Sequence, residues 1–184
     1  YPKGITSDGS YLYVADTYSD KIRKIEIATG VVTTIAGGSS VTGVDGTGAT
    51  ANFFRPEGIT VLGNYLYVAD TSNHKIRKIE IATGVVTTLA GFAGNSRPSG
   101  NVDGTGTAAR FNSPSDITND GTYLYVADSS NNKIRKIEIA TGIVTTLAGS
   151  GSQGAVDGTG AAARFYRPTG VTTDGTYLYV DRTY

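Results

Sequence analysis

An all-β fold of four-stranded antiparallel units is predicted by three features: a long segment written three times, four β-type runs in each copy, and turn residues between the runs. The segment is Tyr11 to Ile35, YLYVADTYSDKIRKIEIATGVVTTI, and it recurs from Tyr65 and from Tyr123 almost letter for letter. A fourth copy begins at Tyr177 and breaks off after YLYV. Self-similarity at a fixed period marks architectures in which each unit buries its faces against its neighbours.

Taking each P-x-[GD]-[IV] as a unit start gives Pro2, Pro56, Pro114 and Pro168, at intervals of 54, 58 and 54 residues. The chain then divides into units 2–55, 56–113 and 114–167, with a partial fourth over 168–184. In the first unit the runs rich in Val, Ile, Thr and Tyr are Gly4 to Ser7, Tyr11 to Asp16, Lys21 to Ile27 and Val31 to Ala36. Asp-Gly in SDGS at Ser7 and in NDGT at Asn119 tolerates the positive φ of a tight turn, and ATG at Ala28 places Gly where a three-residue loop needs it. The four strands therefore meander in order.

Alternation in the second strand puts Leu12 and Val14 on one face and Tyr11, Tyr13 and Ala15 on the other, so both faces are sticky. In the third strand Ile25 and Ile27 share a face with Arg23, which predicts a half-buried strand nearer the outside. Such a unit repeated radially is a β-propeller blade. The ordered motifs P-x-G-[IV], YLYVAD, NxKIRKI and G-x-VTTLAG, clearest at Pro56 to Gly91 and Pro114 to Gly149, resemble the NHL repeat family over nearly the whole chain. That resemblance implies a propeller of six blades, of which this chain is an incomplete ring. It also implies that partners are met on the top face and channel mouth, where the links between second and third strands and between successive blades emerge.

Composition narrows the function. Lys+Arg and Asp+Glu are equal at 16, which argues against nucleic acid and membrane surfaces as partners. Cys is absent, no run is long and apolar enough for a membrane helix, and no cofactor motif is present. A cysteine-free repeat rich in Gly, Thr, Ala and Tyr suits a bacterial exported protein, extracellular or periplasmic. Opening on YPKG and ending mid-repeat, the chain reads as a piece of a longer one; otherwise self-association must complete the ring, because an open ring leaves apolar blade faces bare.

Three inserts lengthen the blades, each carrying V-D-G-T-G and an Ala-rich stretch ending in Phe53, Phe111 or Phe165. A tight Asp-Gly turn, a helical turn and a Phe wedged between blades are expected. Asp45, Asp103 and Asp157 offer one carboxylate per insert where a calcium loop offers several, so capping is expected of them and metal binding is the weaker alternative. Asp16, Asp70 and Asp128, at the strand ends, are expected to take backbone N–H groups or a nearby Arg. Lys21, Arg23 and Lys24 and their copies, diluted by Glu26, Glu80 and Glu138, read as a solvated outer strand.

Candidate binding residues are those that differ between blades on the top face. They are Tyr18 and Asp20, Asn73 and the single His74, Asn131 and Asn132, with Arg97 and with Asp116, which stands where other blades have Gly4, Gly58 and Gly170. One His excludes a three-His zinc site of the kind that peptide-amidating lyases of this architecture use. No GxSxG, HExxH or phosphate loop appears, and repetition makes rings of like groups rather than the unlike groups catalysis needs. A non-catalytic binding or scaffold module for a protein, peptide or glycan is expected. The alternatives are a lactonase- or lyase-like enzyme with its site in other blades, and an RNA-binding propeller.

Overall fold

In the computed structural model residues 1–182 are described; Thr183 and Tyr184, at the end of the partial fourth unit, lie outside the described residues. The first blade comprises β1 (Ile5–Ser7), β2 (Tyr11–Asp16), β3 (Lys21–Glu26) and β4 (Val32–Ala36). After a two-residue β5 (Gly46–Thr47), the second blade follows as β6 (Pro56–Leu62), β7 (Tyr65–Asp70), β8 (Lys75–Glu80) and β9 (Val85–Ala90). A second short strand, β10 (Gly104–Thr105), precedes the third blade of β11 (Pro114–Asn119), β12 (Tyr123–Asp128), β13 (Lys133–Glu138) and β14 (Ile143–Ala148). The fourth begins as the pair β15 (Pro168–Thr173) and β16 (Leu178–Arg182).

Strands pair antiparallel in the expected meander, and the sheets form an unclosed arc of propeller blades with β1, β6, β11 and β15 neighbouring one another along the inside. Turn chemistry is as read from the sequence: Asp8 Oδ1 accepts the amides of Ser10 and Tyr11, and Gly9 takes φ 93°. The second-strand alternation also holds. Tyr13 and Ala15 face forward into a core with Ile59, Leu66, Val68, Ile79 and Val86 of the next blade, and Tyr67 and Ala69 repeat this one blade on. Each Ile, Leu or Val side chain among them contributes about 1.5–3 kcal/mol when fully buried. Phe53 and Phe111 are wedged into these cores as expected.

The inserts differ from expectation in one respect. No tight Asp-Gly turn forms; Gly46–Thr47 extends instead, pairing with the outer strand of the following blade at Gly46↔Val86 and Thr47↔Val85, and Gly104–Thr105 does the same with β14. The positive φ falls on the second glycine, 55° at Gly48 and 54° at Gly106, from which a single 3₁₀ turn starts. Each of the first two inserts is thus a fifth strand donated to its neighbour.

The third strand departs further. Arg77 and Arg135 are fully buried, not solvated, and so is Lys75, whose Nζ donates to Gly43 O and Gly94 O. Arg77 donates to Asp70 at 2.8 Å, to Asp45 at 2.8 Å, and to the carbonyls of Asn52 and Val44. Asp45 also accepts the amide and hydroxyl of Thr88. Arg135 repeats the set with Asp128, Asp103, Arg110 O and Val102 O, while Thr146 bonds Asp103. Asp70 also accepts the Phe54 amide and the Asn73 side chain, and Asp128 accepts the Asn112 amide. Alternation marks Arg as polar, but the arriving insert covers that face and supplies the counter-charge.

In the first blade no preceding insert arrives, and Arg23 stays 31% exposed at 3.8 Å from Asp16. This contrast gives a test by urea unfolding. Arg77→Met leaves Asp70 buried without its partner and is expected to cost about 3–5 kcal/mol. Arg23→Met, at a solvent-screened pair, is expected to cost under about 1 kcal/mol. Equal losses would show that the buried network has no special weight.

Candidate functional site

The top face is organised by a device repeated at each blade junction. A single 3₁₀ turn follows the second strand, at Thr17–Ser19, Thr71–Asn73 and Ser129–Asn131, and ends on a left-handed residue: Asp20 (φ 54°), His74 (56°) or Asn132 (54°). Asp, Asn and His tolerate that conformation better than most side chains. Each then presents an acceptor to the residue before the next blade's proline. Asp20 Oδ1 accepts the Arg55 amide at 2.6 Å, His74 Nδ1 the Ser113 amide at 2.9 Å, and Asn132 Oδ1 the Arg167 amide at 2.9 Å.

Those three pre-proline residues are themselves left-handed, with φ 51° at Arg55, 52° at Ser113 and 46° at Arg167. Such a backbone costs on the order of 1–3 kcal/mol and persists only where its surroundings hold it. Here the tether from the preceding blade does so.

The remaining candidates are placed as follows. Asn73 is buried and donates to Asp70, and Asn131 donates to Asp128 and to Gly100 O, so both brace the buried carboxylates. Tyr18 is exposed, edge-on to Tyr1, with the Arg55 guanidinium 5.4 Å from its ring. Arg97 lies over Phe54 at 4.6 Å. Asp45 and Asp103 are occupied by arginine and threonine, while Asp157 is exposed. No cluster of three or more His, Asp or Glu side chains occurs among the described residues.

Asp116 lies deeper, in a channel cavity of about 390 Å³ lined also by Lys3, Gly4, Glu57, Gly58, Ser115 and Thr169. Its Oδ2 accepts the Val171 amide at 2.9 Å, and burial pushes its carboxyl above the usual range against the pull of that amide and of Ile117. A side chain is barred at Gly58, where a Cβ would strike the Asp116 backbone, and at Gly4, where it would strike the Glu57 carbonyl. Inner strands run too close there for anything but glycine.

Above it opens a mouth of about 520 Å³, lined by hydroxyls of Ser72, Ser113 and Thr169, by Tyr166, and by Arg55 and Arg167. Lys3 and Glu57 pair across this mouth at 2.7 Å. Arg55 and Arg167 are exposed and form no ion pair among the described residues. Neither was singled out from sequence; the available signal was that both immediately precede a blade-starting proline.

The tether at His74 titrates. Burial, then the charge of Arg97, hold the imidazole below its ordinary value, and protonating Nδ1 abolishes its acceptor. A base depressed in the folded state contributes stability that is present above its unfolded pKa of about 6.5 and is lost as pH falls through the folded value. The melting temperature of the native chain is expected to drop between pH 7 and 5. His74→Asn, an acceptor at both pH values, is expected to flatten that drop, and His74→Ala to lose about 1 kcal/mol at pH 7. An unchanged pH profile in His74→Asn would exclude the tether as its source.

Comparisons with known proteins agree with this architecture. The LVIVD repeat matches residues 56–74 and 113–132. NHL repeat-containing protein 2 of Bos taurus is 35% identical over 170 residues, covering 84% of this chain and 23% of that protein. The Homo sapiens protein of that name is 35% identical over 159 residues, covering 80% and 21%. This chain therefore spans less than a quarter of the length of these relatives. Among solved structures, a structural genomics protein of unknown function from Bacteroides thetaiotaomicron superposes with TM-score 0.75 at 21% identity, over 97% of this chain and 44% of that one. An auxiliary nutrient binding protein from Bacteroides ovatus gives 0.71 at 24%, over 97% and 45%, and virginiamycin B lyase from Staphylococcus aureus gives 0.64 at 18%, over 98% and 48%. Repeat, blades and relatives together establish that the chain belongs to the NHL-type repeat family of β-propellers.

Proposed function

We propose that the protein is a non-catalytic binding module whose top-face mouth takes an acidic glycan. The observation that carries this reading is the pair of exposed arginines, Arg55 and Arg167, on strained backbone at a mouth otherwise lined by hydroxyls and by the exposed Tyr166. Guanidinium groups suit a carboxylate bidentately, hydroxyls suit sugar hydroxyls, and an exposed ring suits a sugar face. With Lys3 and Glu57 neutralising one another, the two arginines leave the mouth cationic although the chain is neutral.

A binding role is also supported by the partners that the titratable groups of the site already hold. The one imidazole is spent on a backbone amide, and Asp116 accepts a backbone amide too. The RNA reading loses its basic stripe, since Arg77, Arg135 and Lys75 are buried, and Lys24, Lys78 and Lys136 lie over Tyr11, Tyr65 and Tyr123. That a nutrient binding protein shares the fold supports a small ligand over a protein partner, and an extracellular or periplasmic site belongs to the same proposal.

Isothermal titration with oligogalacturonate is the test. Binding is expected to weaken at least tenfold in Arg167→Ala and in Arg55→Ala, and to weaken with added salt. Equal binding of a neutral cello-oligosaccharide, or titration heat unaffected by both substitutions, would overturn the acidic-glycan reading.

A further inference from the structure

The second unit is longer than its neighbours, 58 residues against 54, and the excess falls between Gly91 and Val102, where the first and third units have only Gly37 to Val44 and Gly149 to Val156. In repeat proteins such additions collect on the loops of one face, commonly the face that binds. The added segment is anchored on both sides. Lys75 Nζ, buried at the start of β8, donates to Gly94 O at 2.8 Å. The Gly100 amide donates to Phe111 O, and Gly100 O accepts the Asn131 side chain at 2.7 Å.

Between these anchors Arg97 turns back to the preceding junction, its guanidinium 4.6 Å from the centre of the Phe54 ring. Phe54 immediately precedes Arg55, whose guanidinium lies 5.7 Å from the same ring and 5.4 Å from that of Tyr18. One ring thus joins an arginine of the mouth to an arginine outside its lining. Arg97 is half-buried and forms no ion pair among the described residues. The groups its charge acts on include His74 and Lys75, so the local field is positive, and the nearby Asp70 is already spent on Arg77.

We propose that the arginines form a track and that the ligand is a linear polyuronate. One carboxylate is taken in the mouth by Arg55 and Arg167, and a carboxylate further along the same chain is taken by Arg97 over Phe54. The inference rests on the acidic-glycan reading and adds to it the length and the repeat of the ligand. A polymer with one carboxylate on every sugar supplies the second charge, whereas a single uronic acid leaves Arg97 unmatched. Stacking on Phe54 and the anchors of the loop hold Arg97 before the ligand arrives, so little freedom is lost on binding.

Isothermal titration with galacturonate oligomers of graded length tests it. Hexagalacturonate is expected to bind at least tenfold tighter than digalacturonate. Arg97→Ala is expected to remove that gain and to flatten the salt dependence of the hexamer, while changing digalacturonate binding by under about twofold. Arg97 lies outside the blade cores, so the fold is retained, and circular dichroism checks this. Equal affinity at every length, or an Arg97→Ala variant that keeps the full gain, would overturn the track and leave the mouth to be judged by Arg55→Ala and Arg167→Ala. Hexaglutamate bound as tightly as hexagalacturonate would overturn a glycan chain as the occupant. No binding at any length would overturn the track and the acidic-glycan reading together.

Discussion

The arc depends on one interaction, the buried arginine held between two carboxylates of different origin. Asp70 comes from the strand beside Arg77, and Asp45 from an insert 32 residues upstream that started in the blade before. Removing a guanidinium and a carboxylate from water costs several kcal/mol per ion, and their attraction, with the bonds made by both terminal guanidinium nitrogens, roughly offsets this although the buried Nε of Arg77 and of Arg135 has no partner among the described residues. The net gain over an apolar pair is therefore small. What the arrangement supplies is register: blade faces of nearly identical sequence could slide or exchange with little loss, but a planar fork meeting two acids and two carbonyls fits in one place.

Because this interaction joins neighbours only, the molecule is quasi-one-dimensional and its stability is the sum of blades and junctions. Identical residues then live in different environments. Val32 and Val86 have the same neighbours along their own sheets, and one is wet while the other is dry because an insert crosses only the second. Arg23, Arg77 and Arg135 make the same point for charge. Environment here is a property of the junction, and a blade considered alone does not possess it.

This explains what was legible in the sequence. Strands, hairpin glycines and the wedged phenylalanines depend on local pattern, and all three are where the repeat puts them; β2 coincides with Tyr11–Asp16 to the residue. The burial of Arg77 was not legible, because period-two alternation records an arginine and not the insert that arrives over it. A signal did exist: the Asp of V-D-G-T-G and the Arg of K-I-R stand 32 residues apart in both complete junctions. The extended Gly46–Thr47 was missed for the same reason, since its partner strand lies in the next unit. On the top face Asp20, His74 and Asn132 looked like variation open to recognition, yet the three share left-handed tolerance and a side-chain acceptor.

That sharing moves the place where side chains are free to differ. The residue before the starting proline of the second, third and fourth blades is held by its backbone amide, so its conformation is fixed from the blade behind and not by its own side chain. The strain of a left-handed pre-proline residue is met by the frame, and the side chain it carries is unconstrained by that bond. Arg55, Ser113 and Arg167 occupy three equivalent positions with two different chemistries, all directed to the mouth. A repeated scaffold can acquire an asymmetric surface in this way without disturbing a junction: the tether keeps one geometry through Asp, His and Asn, and the position it holds is released to take whatever a ligand requires.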